Sequence, residues 1–267
     1  MRMNQTKLAL IIPVYNFADH LQETFTRLIE WRTKVSEYSL LVVFSDDAST
    51  DSSLQFLEDF KNTNSSWCAV VSAKKNLGKG GAVRSGMHYA LEKFAPLYIF
   101  FTDCDFHYGL NIIHQRMIPL LSENEIVILD RSWVEGASHQ KLFRKILTAT
   151  FKRSISILTG VNFQDTQAGL KGFQTSACTP IFKALRLNSF SFDVEILSIA
   201  LYYRFRVKQI PISFSEDHSF PITSTIRIFR TSLGMFCDLF RINWNWKKGY
   251  YDIKDLKVKI DLEIFKV

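Results

Sequence analysis

Asp103 and Asp105 stand two residues apart, directly after the apolar run Leu97–Phe101. Residues i and i+2 share one side of an extended chain, so both carboxylates can face one site. Hard oxygen ligands of that kind suit Mg²⁺ or Mn²⁺ bridging a diphosphate, although a capped turn would use the same residues. A phosphatase nucleophile motif fits poorly, because His107 stands where that motif carries Thr. Asp46, Asp47 and Asp51 place three carboxylates within six residues, either a turn and helix cap or acceptors for a base or ribose. Asn76-Leu77-Gly78-Lys79-Gly80-Gly81-Ala82-Val83-Arg84 joins glycines, which let backbone approach a ligand, to a helix start that favours anions. It is not a Walker loop, since Gly80 follows Lys79, nor GxGxxG, since Val83 takes the last glycine position. Pro13-Val14-Tyr15-Asn16 alone could be any strand-to-helix turn.

Each cluster follows a strand signal. Short apolar runs predict buried strands at Leu8–Val14, Leu40–Phe44, Cys68–Ser72, Leu97–Phe101 and Ile126–Leu129. Helix-period segments lie between them, with Leu54, Leu57 and Phe60 in one and Val83, Met87, Ala90, Leu91 and Phe94 in another. The alternation predicts an α/β single domain, a mostly parallel sheet flanked by helices, with ligands outside the carboxyl ends of the strands. Further on, Phe143, Ile146, Leu147, Phe151, Ile155 and Leu158 predict a long helix whose other faces carry Lys141, Arg144, Lys145, Lys152 and Arg153. A helix from about Val194 and a strand Val207–Ile212 follow. The last helical stretch puts Phe229, Leu233, Phe236, Leu239 and Phe240 on one face, flanked by Arg227, Arg230 and Arg241 and followed by Trp244 and Trp246. That suits an amphipathic segment at a membrane surface, or equally a core cover or dimer contact.

The chain has 267 residues, 47% apolar and 22% charged, which fits one sizeable core and excludes fibrous and disordered classes. No apolar run approaches the roughly 18 residues of a spanning helix. Pro13 interrupts the first apolar stretch, which argues against a secretory signal. Cys68, Cys104, Cys178 and Cys237 show no CxxC and no Cys/His ligand spacing, so reduced thiols in the cytoplasm are expected. With 33 basic and 26 acidic residues the net charge is +7, favouring an anionic partner; no nucleic-acid recognition motif is present.

The order Pro-x-Tyr-Asn, Asp-Asp-x-Ser-x-Asp, Asn-x-Gly-Lys-Gly-x-x-x-Arg, Asp-x-Asp resembles the family 2 glycosyltransferases with the GT-A fold. Asp165-Thr166-Gln167-Ala168-Gly169-Leu170-Lys171-Gly172-Phe173 and Phe192-Asp193-Val194-Glu195-Ile196-Leu197 resemble motifs of its dolichyl-phosphate β-glucosyltransferase branch. The resemblance spans about residues 8–225. It implies an inverting, metal-dependent transfer of a hexose from a nucleotide sugar, UDP favoured over GDP, to a polyprenyl or dolichyl phosphate. A sugar hydroxyl as acceptor and a degenerate binding scaffold stay open.

By resemblance, Pro13, Tyr15 and Asp47 hold the nucleobase, and Lys79 and Arg84 lie near the base or diphosphate. Asp103 meets the ribose or sugar, Asp105 ligates Mg²⁺ or Mn²⁺ with Asp103, and Asp193 falls where a general base is placed. His218, in a segment that departs from the pattern, is a further candidate for the metal or a phosphate, or a structural histidine. Arg131, Asp165 and Lys171 face the acceptor or donor phosphates. The pattern departs at Phe17, at Ala48 where Gly is usual, and at Asp217–Ser224. The implied organisation is a catalytic domain over 1–225, with a nucleotide half to about 105 and an acceptor half beyond it. An appendage over 226–267 completes the chain, and the expected location is cytoplasmic, peripheral on the membrane face.

Overall fold

The computed structural model describes residues 5–131, 152–212, 225–253 and 265–266. Strands β1 (Lys7–Val14), β2 (Ser39–Asp46), β3 (Cys68–Ala73), β4 (Tyr98–Phe101), β5 (Ile126–Asp130), β6 (Lys171–Gln174), β7 (Val207–Pro211) and the two-residue β8 (Phe265–Lys266) form one sheet. Its order is β7-β5-β6-β4-β1-β2-β3-β8. The β1/β2, β1/β4, β2/β3 and β5/β7 pairs are parallel; β6 runs antiparallel to both β4 and β5, and β8 to β3. Helices are α1 (Leu21–Lys34), α2 (Ser53–Thr63), α3 (Lys79–Lys93), α4 (Ile118–Leu121), α5 (152–159), α6 (Thr175–Ala184), α7 (Phe192–Tyr202) and α8 (Thr225–Lys247).

Helices cover both faces of the sheet's middle, which is why β1 to β5 are built on apolar runs. Successive β1 residues alternate between the two layers: Leu8, Leu10 and Ile12 pack with α1 and α2, while Ala9 and Ile11 pack with α3 and α7. The expected α/β architecture holds, and the anticipated strands form within one or two residues of their predicted ends.

Two strands have no sequence prediction behind them, β6 and the two-residue β8. β6 carries Lys171 and Gly172, which break the apolar run, yet both are buried. Gly172 is required because the Phe100 ring crosses it where a Cβ would stand.

The last helix departs from its predicted single apolar face. Leu239 and Ile242 are fully buried, with Phe236 and Trp246 packed partly against the same layer, whereas Phe240 is 61% exposed. The side chains of Arg227, Phe229, Arg230 and Leu233 lie outside the described residues, as do residues 141–145 of the predicted basic helix and His218.

Candidate active site

The strand ends converge on the carboxyl edge of β1, β2 and β4, where parallel strands leave a crevice. After β4 the chain turns through Asp103-Cys104-Asp105, with Phe106 in the left-handed region at φ +48°. Helix α1 pins this corner. Thr24 Oγ1 donates to Cys104 O at 2.9 Å, and Arg27 donates to Asp105 O at 2.7 Å and Phe106 O at 2.9 Å. No sequence signal marked Thr24 or Arg27, because their partners lie about 80 residues away. Asp105 Oδ1 accepts from the His107 amide at 3.1 Å. Burial, then the neighbouring Asp103 charge, pushes the Asp105 carboxyl above its usual range.

Two lysine–aspartate pairs stand behind the corner. Lys79 Nζ lies 2.5 Å from Asp103 Oδ1. Lys171 Nζ lies 2.5 Å from Asp193 Oδ1 and donates to Ala168 O at 2.8 Å. Burial lowers the Lys79 pKa, but Asp103 and Asp193 outweigh it and hold the ammonium above its ordinary value. Lys171 is fully buried, and there burial wins, lowering its pKa against the pull of Asp193. Burial likewise raises Asp193. Asp193 opens α7, whose positive N-terminal end favours its charge. Asp103 needs glycine beside it, since a Cβ on Gly169 would overlap its carboxylate.

Asp47 is buried and accepts from the amides of Leu77 at 2.7 Å and Gly78 at 2.8 Å, so it shapes the glycine loop. Burial raises its pKa, opposed by those two amides. Asp51 serves as a cap, accepting from Ser53 N and Ala18 N. Pro13 is the next-to-last residue of β1, and Tyr15, 49% exposed, stands just past the strand's end.

The glycines work differently from the sequence expectation. Gly78, at φ +86°, would put a Cβ 2.7 Å from Asn188 O, and Gly80 would put one 2.9 Å from Leu187 O. They permit close packing of the chain on itself. Arg84 faces the same loop, donating to Leu185 O at 3.0 Å and Asn188 Oδ1 at 2.8 Å, so the fold does not bring it to Asp103 with Lys79.

Arg131 forms a two-pronged pair with Asp165, at 2.5 and 3.0 Å. Burial would raise the Asp165 carboxyl, but Arg131 holds it below its ordinary range. Arg131, Lys152, Arg153, Ile155, Phe163 and Asp165 line a cavity of about 390 Å³. Tyr108 feels the charges of Arg131, Asp103 and Asp165, linking this cavity to the β4 corner. An equally large cavity between α1 and α2 is lined by Phe25, Ile29 and Phe56 together with Gln22, Asp59 and Asn64, and has no basic residue.

The sequence profile described as "Glycosyl transferase family 2" matches residues 9–190. The chain belongs to glycosyl transferase family 2. The transferase is 27% identical over 264 residues to the dolichyl-phosphate beta-glucosyltransferase of Saccharomyces cerevisiae, covering 91% of this chain and 76% of that one. Among solved structures it resembles mannosyl-3-phosphoglycerate synthase from Rubrobacter xylanophilus, with TM-score 0.61, 14% identity and 91% and 75% of the two chains covered. It also resembles glucosyl-3-phosphoglycerate synthase from Mycobacterium tuberculosis, solved with Mn²⁺, UDP and glucosyl-3-phosphoglycerate, with TM-score 0.55, 12% identity and 89% and 80% covered. The fold of the transferase is GT-A.

Among the described residues no three His, Cys, Asp or Glu side chains converge on a metal position. Asp103 and Asp105 are a pair of hard oxygen donors at an open corner. Such a pair fits Mg²⁺ or Mn²⁺, which keep waters and take further oxygens from a substrate diphosphate.

Proposed function

We infer that the transferase moves a glucosyl group from UDP-glucose to a polyprenyl phosphate, inverting the anomeric carbon. The observation that carries this reading is the enclosure of Asp193. At 3% exposure, with the Lys171 ammonium on its oxygen, it cannot reach an acceptor hydroxyl as a general base. A phosphate acceptor is already an anion and needs no such base. The basic cavity of Arg131, Lys152 and Arg153 supplies a matching anion site, and the resemblance to a dolichyl-phosphate beta-glucosyltransferase supports the same acceptor class.

In this reading Tyr15 and Pro13 face the uracil, and Asp47, as enclosed as Asp193, holds the glycine loop beside it through the amides of Leu77 and Gly78. Asp103 and Asp105 would hold the divalent ion. That ion, when bound, offsets charge developing on the departing diphosphate, worth several kcal/mol. Lys79 balances Asp103, and Asp165 aims Arg131 at the acceptor phosphate. One acceptor oxygen forms the new bond to the anomeric carbon as the bond to the diphosphate breaks, and UDP leaves with the electron pair. Lys171 and Asp193 position β6 and α7, and Arg84 acts behind the loop rather than on the nucleotide.

The test is a panel of UDP- and GDP-sugars with Mg²⁺ or Mn²⁺, with and without a polyprenyl phosphate. A lipid-linked glucosyl phosphate formed from UDP-glucose is the expected product. Transfer confined to glycan hydroxyls would overturn the acceptor, and preference for a GDP-sugar would overturn the donor.

A further inference from the structure

The loop 185–191 lies between the glycines around Lys79 and the C-terminal helix. Gly80 N donates to Asn188 O at 2.9 Å, and neither Gly78 nor Gly80 leaves room for a Cβ against this loop. From below, Glu195 Oε2 accepts from Arg186 N at 3.1 Å and Leu187 N at 2.7 Å. Glu195 is fully buried, and its Oε1 accepts from the Tyr251 hydroxyl at 2.8 Å. Tyr251, also fully buried, follows α8, which makes a second contact when Ser189 Oγ donates to Asp238 Oδ2 at 2.6 Å. A continuous series of contacts therefore runs from the end of α8 through one carboxylate to the backbone on both sides of Lys79.

We propose that Glu195 is a positioning residue of the donor site: anchored by Tyr251, it holds residues 186–188 against the Lys79 loop and so sets the Lys79 ammonium on Asp103. The inference rests on reading Lys79 and Asp103 as donor-site residues. Close-packed contacts pass on small shifts instead of absorbing them, and here the contacts are backbone against backbone. One side chain meets all three partners, its Oε2 taking the two amides and its Oε1 the hydroxyl.

Tyr251→Phe removes only the hydroxyl, and Glu195→Ala removes the clamp. Glu195→Gln keeps an acceptor for the amides and can donate its own N–H to the Tyr251 oxygen. Lys79 acylation, followed by mass spectrometry against the exposed Lys34, reads the loop directly, and calorimetry with UDP reads the site. Tyr251→Phe should raise Lys79 reactivity and weaken UDP binding about threefold to tenfold, with no further loss in a Lys79→Met background, as expected for coupled positions. Glu195→Gln should restore wild-type behaviour relative to Glu195→Ala. Folded Tyr251→Phe protein with unchanged Lys79 reactivity and UDP affinity, or losses that add in the double variant, would overturn the proposal. If wild type binds neither UDP nor GDP, the functional reading fails, and Lys79 reactivity still decides this one. Should Glu195→Ala not fold, Tyr251→Phe carries the test.

Discussion

Lys171 and Asp193 share the most enclosed charge pair among the described residues, and their depth separates structural from chemical roles. Removing one partner of a buried ion pair leaves the other charge uncompensated, at a cost of about 3–5 kcal/mol. Asp193→Asn keeps the side-chain shape and strands the Lys171 ammonium. It should lower unfolding stability by about that amount, read from denaturant midpoints, while turnover with a polyprenyl phosphate falls less than about tenfold. Loss of a general base would instead cost about 10²–10⁴-fold. A loss in that range from a stable, folded variant would return Asp193 to the chemistry and favour a hydroxyl acceptor. Smaller features follow the same local logic. Ala48 holds φ +58°, a left-handed conformation that glycine adopts freely, which explains why the family pattern carries Gly there.

At the scale of elements, the β5/β7 pairing begins at a bracket between Glu125 and Arg206. Arg206 donates to Glu125 from its amide at 2.8 Å and from its guanidinium at 2.7 Å. Chiefly through that guanidinium, the Glu125 pKa is held down from 4.5 to about 2. The folded chain thus binds fewer protons here than the unfolded chain at moderately acid pH. Stability from the bracket is complete above about pH 4.5 and disappears as pH falls toward about 2. Glu125→Gln should remove this part, so the gap between wild type and variant in urea midpoint narrows steadily from pH 5 to pH 2. A constant gap would show that the bracket acts by packing alone. Elements with self-sufficient signals were legible in the sequence: β1 to β5 carry short apolar runs ended by turns, and the stretch of β7 shows Val207, Ile210 and Ile212 around the polar Lys208 and Gln209. β6 was hidden because its Lys171 is buried only by virtue of Asp193, 22 residues on, and its Gly172 only by the Phe100 ring. The Asp-x-Asp corner was readable as a pattern, but its support by Thr24 and Arg27 exists only once α1 has packed. The glycine loop was recognised, yet its close approach is to Asn188 and Leu187, which no local spacing could reveal.

For the molecule as a whole, a net charge of +7 and the proposed lipid-phosphate acceptor raise the question of how enzyme and membrane would meet. Among the described residues no helix is long and apolar enough to cross a membrane. Beyond its buried side, α8 presents Phe240 at 61% and Trp244 at 58% exposure, one turn apart, with Arg241, Lys247 and Lys248 exposed around them. Lys248 stacks over the Trp244 ring at 4.9 Å. Aromatic side chains among basic ones suit the boundary between headgroups and acyl chains, and this exposed side replaces the single stripe expected from sequence. Each basic residue near anionic lipid adds about 1 kcal/mol, and burying each aromatic side chain adds about 1.5–3 kcal/mol. Flotation with vesicles containing anionic lipid should carry wild type upward at low salt and progressively less as salt screens the charges. Phe240→Ser with Trp244→Ser should abolish flotation at any salt, whereas Arg241→Glu with Lys248→Glu should abolish it only where charge drives it. Because the substituted side chains point away from the buried Leu239 and Ile242, the thermal midpoint should stay near wild type, so lost flotation reports the surface and not the fold. Wild type that ignores such vesicles and sediments as a dimer broken by Phe240→Ser would assign this side to a second copy of the chain, leaving the transferase to draw its acceptor from elsewhere.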